Sequence, residues 1–456
     1  MDLKNFLSTF KCFNLIGVQI KTLNKVDSVT KIILDKELSK ENLHLLSNFE
    51  NLVNFTIKDI FYEKIDFENY LINIKNPEKL KYFSLKNVKL NKYTTYYQLP
   101  EYIKKFRNLE HIYLDNINIE KLNNIDELKN LKNISIINSD LRFIEISKEL
   151  PNLKSFQLSK NNIQSFNKDM FSYIPNLKNL YLRENKLSNI EWINLLNNID
   201  SIDFDHNIIN NIDYHISNIN LKSFSMIGND LINIDNLGDF PKLESFNLNY
   251  NQFNEIPKNQ NRFPKLKIFS IAKNNIDCLD NIETFSTIEN LTLWGNKIKD
   301  IILINNLKDI KSLDLNNNEI TEFNVLENLD KLYYINIHSN KFDILDIEKL
   351  SKLPKLQSLT LKSSSLKFIT SKDIKIFKFD LTKSDINNLY ANYKKKIIEE
   401  NKEMKKNEKE IKRQEQLKIL QDKENIIKEN NTKKKTIYLK NLKTNETSEN
   451  QDLYIF

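Results

Sequence analysis

Glycine, proline, alanine and cysteine are scarce in this 456-residue chain, which has four Gly, eight Pro and two Cys. Alanine occurs only as Ala272 and Ala391. Two cysteines, Cys12 and Cys278, are too few for the disulfide framework of a small secreted scaffold. So little glycine leaves no Gly-rich loop to cradle a phosphate. Long apolar runs are also missing: none reaches the ~18 residues a membrane-spanning helix needs. The opening stretch MDLKNFLSTFKCFNLIGV is broken by Lys4, Lys11 and Asn14 and lacks a small-residue cleavage site, so it does not read as a signal peptide. The five histidines form no metal motif. These absences predict an intracellular protein, cytoplasmic or nuclear, with no cofactor.

What the chain does have is repetition. LKNLYLRENKLSNI at 177 returns as LESFNLNYNQFNEI at 243, IENLTLWGNKIKDI at 288 and IKSLDLNNNEITEF at 310. Counting from the first apolar residue, apolar side chains fall at offsets 0, 3, 5, 10 and 13, with Asn at offset 8. Copies begin at Leu52, Leu80, Leu109, Leu131, Leu153, Leu177, Ile199, Leu221, Leu243, Leu266, Ile288, Ile310, Leu332 and Leu356. From Leu109 onward the steps are 22 to 24 residues. Two weaker copies precede them, FKCFNLIGVQI at 10 and VTKIIL at 29, and a truncated IKIFKF follows at 374.

The spacing has a physical reading. Residues at offsets 3 and 5, such as Leu180 and Leu182, flank one residue and point to the same face of a short strand. This predicts parallel strands at 180–182, 202–204, 224–226, 246–248, 269–271, 291–293, 313–315 and 335–337. Apolar positions at offsets 10, 13, 16 and 19 recur every three residues, which suits 3₁₀ or irregular packing behind the strand. One unit buries one face only, and stacked units share a continuous core. Where the strand turns away at offset 8, an Asn supplies an acceptor and two donors to backbone groups that have lost their ladder partners. Nine copies carry it, from Asn161 to Asn340, while Ser139 and Ser364 replace it elsewhere and Ile60 and Val88 stand there in the early copies.

The pattern LxxLxLxxNxL, over about residues 10–380, resembles the leucine-rich repeat family. The 22-residue step is similar to the subclass that includes the nuclear regulatory subunit of protein phosphatase one, and bacterial internalins use a related unit. The resemblance implies an α/β repeat solenoid, a leucine-rich repeat horseshoe with a parallel concave β-sheet and an irregular or 3₁₀ convex side. After it, a stretch without Gly or Pro and with helical spacing of Ile386, Leu389, Tyr393 and Ile397 predicts a long C-terminal helix. Residues 1–51 are expected to form an N-terminal cap with degenerate repeats, 52–382 the array, 383–430 a charged helix with a coiled-coil hint, and 431–456 a flexible basic tail. The insertion NKYTTYYQLPEYIKKFRN is expected to add a convex helix. Of the net charge of +7, residues 383–445 supply an excess of eight, so the array is close to neutral.

Candidate site residues lie on the concave face, at offsets 2, 4, 6 and 7. Tyr181, Arg183, Asp203, Asp205, Tyr250, Trp294, Asp314 and His338 form one expected strip, with Tyr113 beside it. Tyr, Trp and Arg are the types that dominate the energetics of protein interfaces. Asp203 and Asp205 are two residues apart on one strand, ~7 Å, which overlaps the spacing of inverting glycosidases. Arg183 on the neighbouring strand makes a salt-bridged patch the simpler account. His206 and His338 are six repeats apart, ~29 Å, too far to share a zinc ion. The expectation is a scaffold without enzymatic activity or small-molecule substrate, binding another protein, for which the resemblance implies a phosphatase catalytic subunit as one option. Alternatives are tethering to nucleic acid or an anionic membrane through the basic helix, and a secreted or surface repeat protein of internalin type.

Overall fold

The computed structural model of the chain describes residues 29–35, 40–60, 68–88, 98–323, 326, 329–350, 352–361, 365–372 and 378–448. The weak copy at 10, Cys12 and Ser364 lie outside them. The chain divides into two compact units: the repeat array, through 366 and again over 373–382, and a second unit of 367–372 with the residues from 383 onward.

Among the described residues of the array, the alternation of inward and outward side chains produces a sheet of 16 strands in sequence order. It runs from Lys31–Leu34 to Lys378–Phe379, and neighbouring strands pair in parallel throughout. Pairing joins equivalent offsets, so Leu180 lies beside Ile202 and Leu313 beside Ile335. Each strand in the regular region begins one residue earlier than the expected set, as in Asn179–Tyr181 and Ser312–Asp314. Backbone pairing starts as soon as a strand enters the ladder: the Ser201 N–H donates to the Lys178 carbonyl at 3.0 Å. The buried pair Leu180 and Leu182 is the one expected. The sheet also begins earlier than Leu52, since Lys31–Leu34 already pairs with Asn54–Lys58.

Behind the sheet the three-residue spacing becomes short 3₁₀ turns, such as Glu191–Leu195 and Ile302–Asn306. In the Leu177 copy, Ile190, Ile193 and Leu196 are buried by this turn. The described part of the insertion forms another, Glu101–Lys105, rather than a longer α-helix. Its Pro100 precedes the turn and Arg107 and Asn108 already lead into the next strand, which leaves room for little more. Between the two layers runs an aromatic spine. Phe171 stacks on Trp192 at 4.7 Å, Trp192 meets Phe204, Phe204 meets Phe224, and the series continues through Phe246 and Phe269 to Phe285. Burial of each such ring removes ~150–250 Å² from water.

Asn at offset 8 stitches neighbouring copies. Asn251 Nδ2 donates to the Met226 carbonyl of the preceding copy at 2.9 Å and to the Leu248 carbonyl of its own at 3.0 Å. Its Oδ1 accepts from the Leu231 N–H at 3.1 Å. The same three bonds recur at Asn185, Asn207, Asn229, Asn274, Asn296, Asn318 and Asn340. Ser139 reproduces part of the pattern, accepting from Ile117 N–H and donating to the Ile137 carbonyl.

The residue before the ladder Asn is left-handed in copy after copy, whatever its type: Lys160, Glu184, His206, Gly228, Tyr250, Lys273, Gly295, Asn317 and Ser339 all have φ between 53° and 71°. This turn aims its N–H at the next copy, as Tyr250 N–H does at the Ala272 carbonyl at 2.9 Å.

In the second unit, Lys383–Ser448 form a single helix. It continues through 431–448, given above to a flexible tail, because that stretch has neither Gly nor Pro and Thr432 and Thr436 bond back to carbonyls one turn earlier. At its base, Lys396 lies over the Phe368 ring at 4.9 Å, and Lys372 and Lys394 over Tyr390 at 5.4 and 5.0 Å. Among the described residues no helix is long and apolar enough to cross a membrane.

Candidate functional site

The solvent side of the sheet is floored by small polar side chains: Ser201, Ser223, Ser245 and Ser312 at offset 2, Ser225, Ser270 and Thr292 at offset 4. The residues of the expected strip gather in two places, so the strip is not continuous. Tyr181, Arg183, Asp203 and Asp205 form one cluster, on the adjacent strands Asn179–Tyr181 and Ser201–Asp203. Tyr250 and Trp294 form another, centred about three and a half strand spacings, ~17 Å, away. Asp314 and His338 follow on the next two copies and join neither cluster.

Asp205 corrects the expectation for it. It is 4% exposed, and its carboxylate turns into the array rather than out to a partner. Oδ1 accepts from Ser225 Oγ at 2.5 Å and from Ile227 N–H at 2.8 Å, while Oδ2 faces Arg183 at 3.7 Å. The position works as a strand-end cap for the next copy, and Asn249 does the same for Ser270 and Ala272. With its oxygens committed, Asp205 is not free to activate water opposite Asp203, so the glycosidase-like spacing has no working pair. Asp203 stays half-buried on the face. Burial first, then the charge of Asp205, pushes its carboxyl up to about 6, against the pull of Arg183 and of the Asp205 N–H bonded to its Oδ1 at 2.8 Å. Arg183 is shared with Glu184 at 3.1 Å.

At the second cluster the left-handed turn throws Tyr250 outward, leaving it 48% exposed. Its ring meets Trp294, two copies on, edge to face at 5.7 Å, and Lys273 from the copy between lies over the Trp294 ring at 5.1 Å. Gly228 and Gly295 occupy the equivalent turn positions on either side, so Tyr250 and Lys273 stand proud of a lowered rim. The glycines leave room for their neighbours as these are placed: a Cβ on Gly228 would lie 2.5 Å from His206 Nδ1, and one on Gly295 2.8 Å from Lys273 Cδ, so a larger residue would displace those side chains. Further along, Asp314 Oδ1 is held by the Asn316 side chain and N–H, and His338 Nδ1 lies 2.9 Å from Ser339 Oγ. Tyr113 donates its hydroxyl to Asp115 at 3.1 Å and so is tied to its own strand.

Three features escaped the sequence reading. Offset 1 carries a charge row in which Glu110 pairs with both Lys81 and Lys132, Asp200 with Lys178 and Lys222, and Glu289 with Lys311. Hydrogen bonds from the two lysines hold the Glu110 carboxyl down to about 2. Sign alternation at one offset, Lys222, Glu244, Lys267, Glu289, Lys311, was the available signal. Tyr82 stacks on His111 at 4.4 Å, visible as aromatics at offset 2 of successive copies. Arg262 is buried behind the sheet and donates to the carbonyls of Asn259, Ile234, Leu237 and Lys258; nothing in the repeat pattern marks it. Among the described residues no group of three His, Cys, Asp or Glu is placed to hold a metal ion.

Comparison with known proteins gives this architecture its class. Residues 129–187 and 151–209 match a family described as Leucine rich repeat. A leucine-rich repeat protein of Leptospira interrogans is 22% identical, with a TM-score of 0.64 over 78% of this chain and 89% of that one. TLR13, solved in complex with ssRNA13, is 17% identical, with a TM-score of 0.60 over 81% of this chain and 60% of that one. Drosophila Toll, solved in complex with Spatzle, is 16% identical, with a TM-score of 0.53 over 78% of this chain and 50% of that one. A search of curated proteins returns no match. The fold is a leucine-rich repeat solenoid.

Proposed function

We propose that the array is a non-enzymatic scaffold that holds a partner protein on the open face of its sheet, with the Tyr250–Trp294 pair as its anchor. The observation that carries this reading is the pair itself. Two aromatic rings from copies two apart meet over a polar floor, between glycines that clear the rim on both sides. Exposed aromatic area of this kind, ringed by small polar groups, is what interface hot spots are made of. Toll in complex with Spatzle provides a protein-bound precedent on the same fold. The partner is a cytoplasmic or nuclear protein on this reading, and the 22-residue spacing makes a phosphatase catalytic subunit the first probe to try.

The test is affinity capture with the full chain, read by mass spectrometry and, for the phosphatase subunit, by direct titration. Trp294→Ala and Tyr250→Ala should each weaken binding of the main partner at least about tenfold, since a central aromatic is commonly worth ~2 kcal/mol. Lys299→Ala, on an exposed position away from the sheet, should leave it unchanged. Wild-type affinity in both aromatic variants, at unaltered stability, would reduce the cluster to decoration.

A further inference from the structure

The C-terminal helix separates its charges. Over residues 394–413 each residue advances about 100° around the axis. Lys394, Lys395, Lys402, Lys405, Lys406, Lys409, Lys412 and Arg413 fall within a sector of roughly 120° that contains no Asp or Glu. Glu399, Glu410 and Glu403 lie just beyond one edge of the sector, and Glu400 falls on the far side. Ile397, Met404 and Ile411 line a third strip between the two. Opposite charges stand at i,i+4 across the edges of the sector, at Lys395 and Glu399, Lys406 and Glu410, and Glu408 and Lys412, where a formed pair adds a few tenths of a kcal/mol. Here the ion pairs found within this stretch are Lys396–Glu400 at 3.8 Å and Arg413–Glu410 at 4.0 Å. Lys402, Lys405, Lys406, Lys409 and Lys412 are exposed, and none is within ion-pair distance of a carboxylate among the described residues.

We infer that this basic sector, about 30 Å long, is a phosphate-backbone contact for duplex nucleic acid, independent of base sequence. An α-helix fits the ~12 Å major groove of B-form DNA, and cations repeating every three to four residues along one side can follow a row of phosphates. A lipid surface fits less well. Burying the apolar strip would bring Glu408 and Glu400, which border it on either side, down among anionic headgroups. An acidic protein surface is not excluded by charge, but a uniform row of Lys and one Arg, without an aromatic in the sector, lacks the anchors protein interfaces use.

The experiment uses the full chain and a labelled, mixed-sequence DNA duplex about two helical turns long, titrated by fluorescence anisotropy between about 50 and 200 mM KCl. Two variants remove the same charge. One is K402Q/K405Q/K406Q/K409Q/K412Q, on the sector; the other is K396Q/K418Q/K428Q/K433Q/K440Q, off it. With ~0.9 counterions released per phosphate neutralised, five contacts give a log–log salt slope near −4.5. The on-sector variant should lose at least about tenfold in affinity and most of that slope, while the off-sector variant loses less than about threefold. Equal losses would show that only net charge matters and overturn the site. So would absence of duplex binding in the parent, tighter binding to phosphatidylserine vesicles than to DNA at the same salt, or self-association in sedimentation that the on-sector variant abolishes.

Discussion

The array and the helix are written in much the same alphabet of Asn, Lys, Glu, Ile and Leu, yet they satisfy their backbones in opposite ways. In the helix every amide finds its acceptor four residues back, so side chains are left to the solvent; Ile411 is 57% exposed and Leu420 likewise. In the array the acceptors lie mainly in a neighbouring copy, before or after, about 22 residues away, and the side chains must finish what the short strands leave undone. The difference teaches that Asn has no fixed meaning in this chain. At offset 8 it is a buried connector between backbone groups of two copies; in the helix Asn401 and Asn407 are surface residues.

Substitutions at matched residue types should expose that contrast, the largest in the aromatic spine. Phe246 is fully buried and packed against Phe224, Phe263 and Phe269. Phe246→Ala should cost the array about 3–5 kcal/mol, while Ile411→Ala on the helix should shift stability by under ~0.5 kcal/mol. Urea unfolding followed by circular dichroism separates the two, and similar midpoints would mean that the helix face is packed in solution.

Next in size is the connector. Asn251→Ala should cost about 1–3 kcal/mol by stranding the buried Leu231 N–H, while the Met226 and Leu248 carbonyls keep Asn229 and Asn274 as donors; exposed Asn254→Ala should cost under ~0.5 kcal/mol. Asn261, which the sequence alone would offer as a control, is unsuitable because its φ of 62° penalises Ala on its own account.

The smallest effect is one of pH. With its carboxyl raised to about 6 from the ordinary 3.8, folded Asp203 holds its proton more tightly than the unfolded chain does. Its ionised form therefore opposes folding above about pH 6, and the array gains stability as pH falls from there toward 4. Asp203→Asn keeps the acceptor for the Asp205 N–H and removes this dependence. It should stabilise the array at pH 7 by on the order of 1 kcal/mol after solvent screening, and by nothing near pH 4. A pH-independent difference between the two proteins would place the cause elsewhere.

Much of the fold was legible because it is local and repeated. The marker residues Leu177 through Leu332, the inward pairs such as Leu180 and Leu182, and the Asn row follow from periods of two, three and 22. The site was less legible because it depends on where neighbours point. Asp203 and Asp205 look alike in sequence, but the second turns its carboxylate under the Ile227 N–H of the following copy. Tyr250 and Trp294 are 44 positions apart and meet across the intervening copy, whose Lys273 lies over the Trp294 ring. Arg262 belongs to no period, so only the carbonyls that surround it reveal its place.

The connector row also has a sense. Each Asn lends its acceptor backward, to an amide of the copy before, and nothing in that bond reaches the copy after. Damage at one rung is therefore one-sided. In Asn251→Ala the Leu231 amide loses its only side-chain acceptor and should exchange its proton with solvent faster, while Phe253 N–H, served by Asn274 at 3.0 Å, keeps its protection. The array behaves like a row of interlocked roof tiles, in which a cracked tile leaks onto the one beneath it and leaves the one above dry.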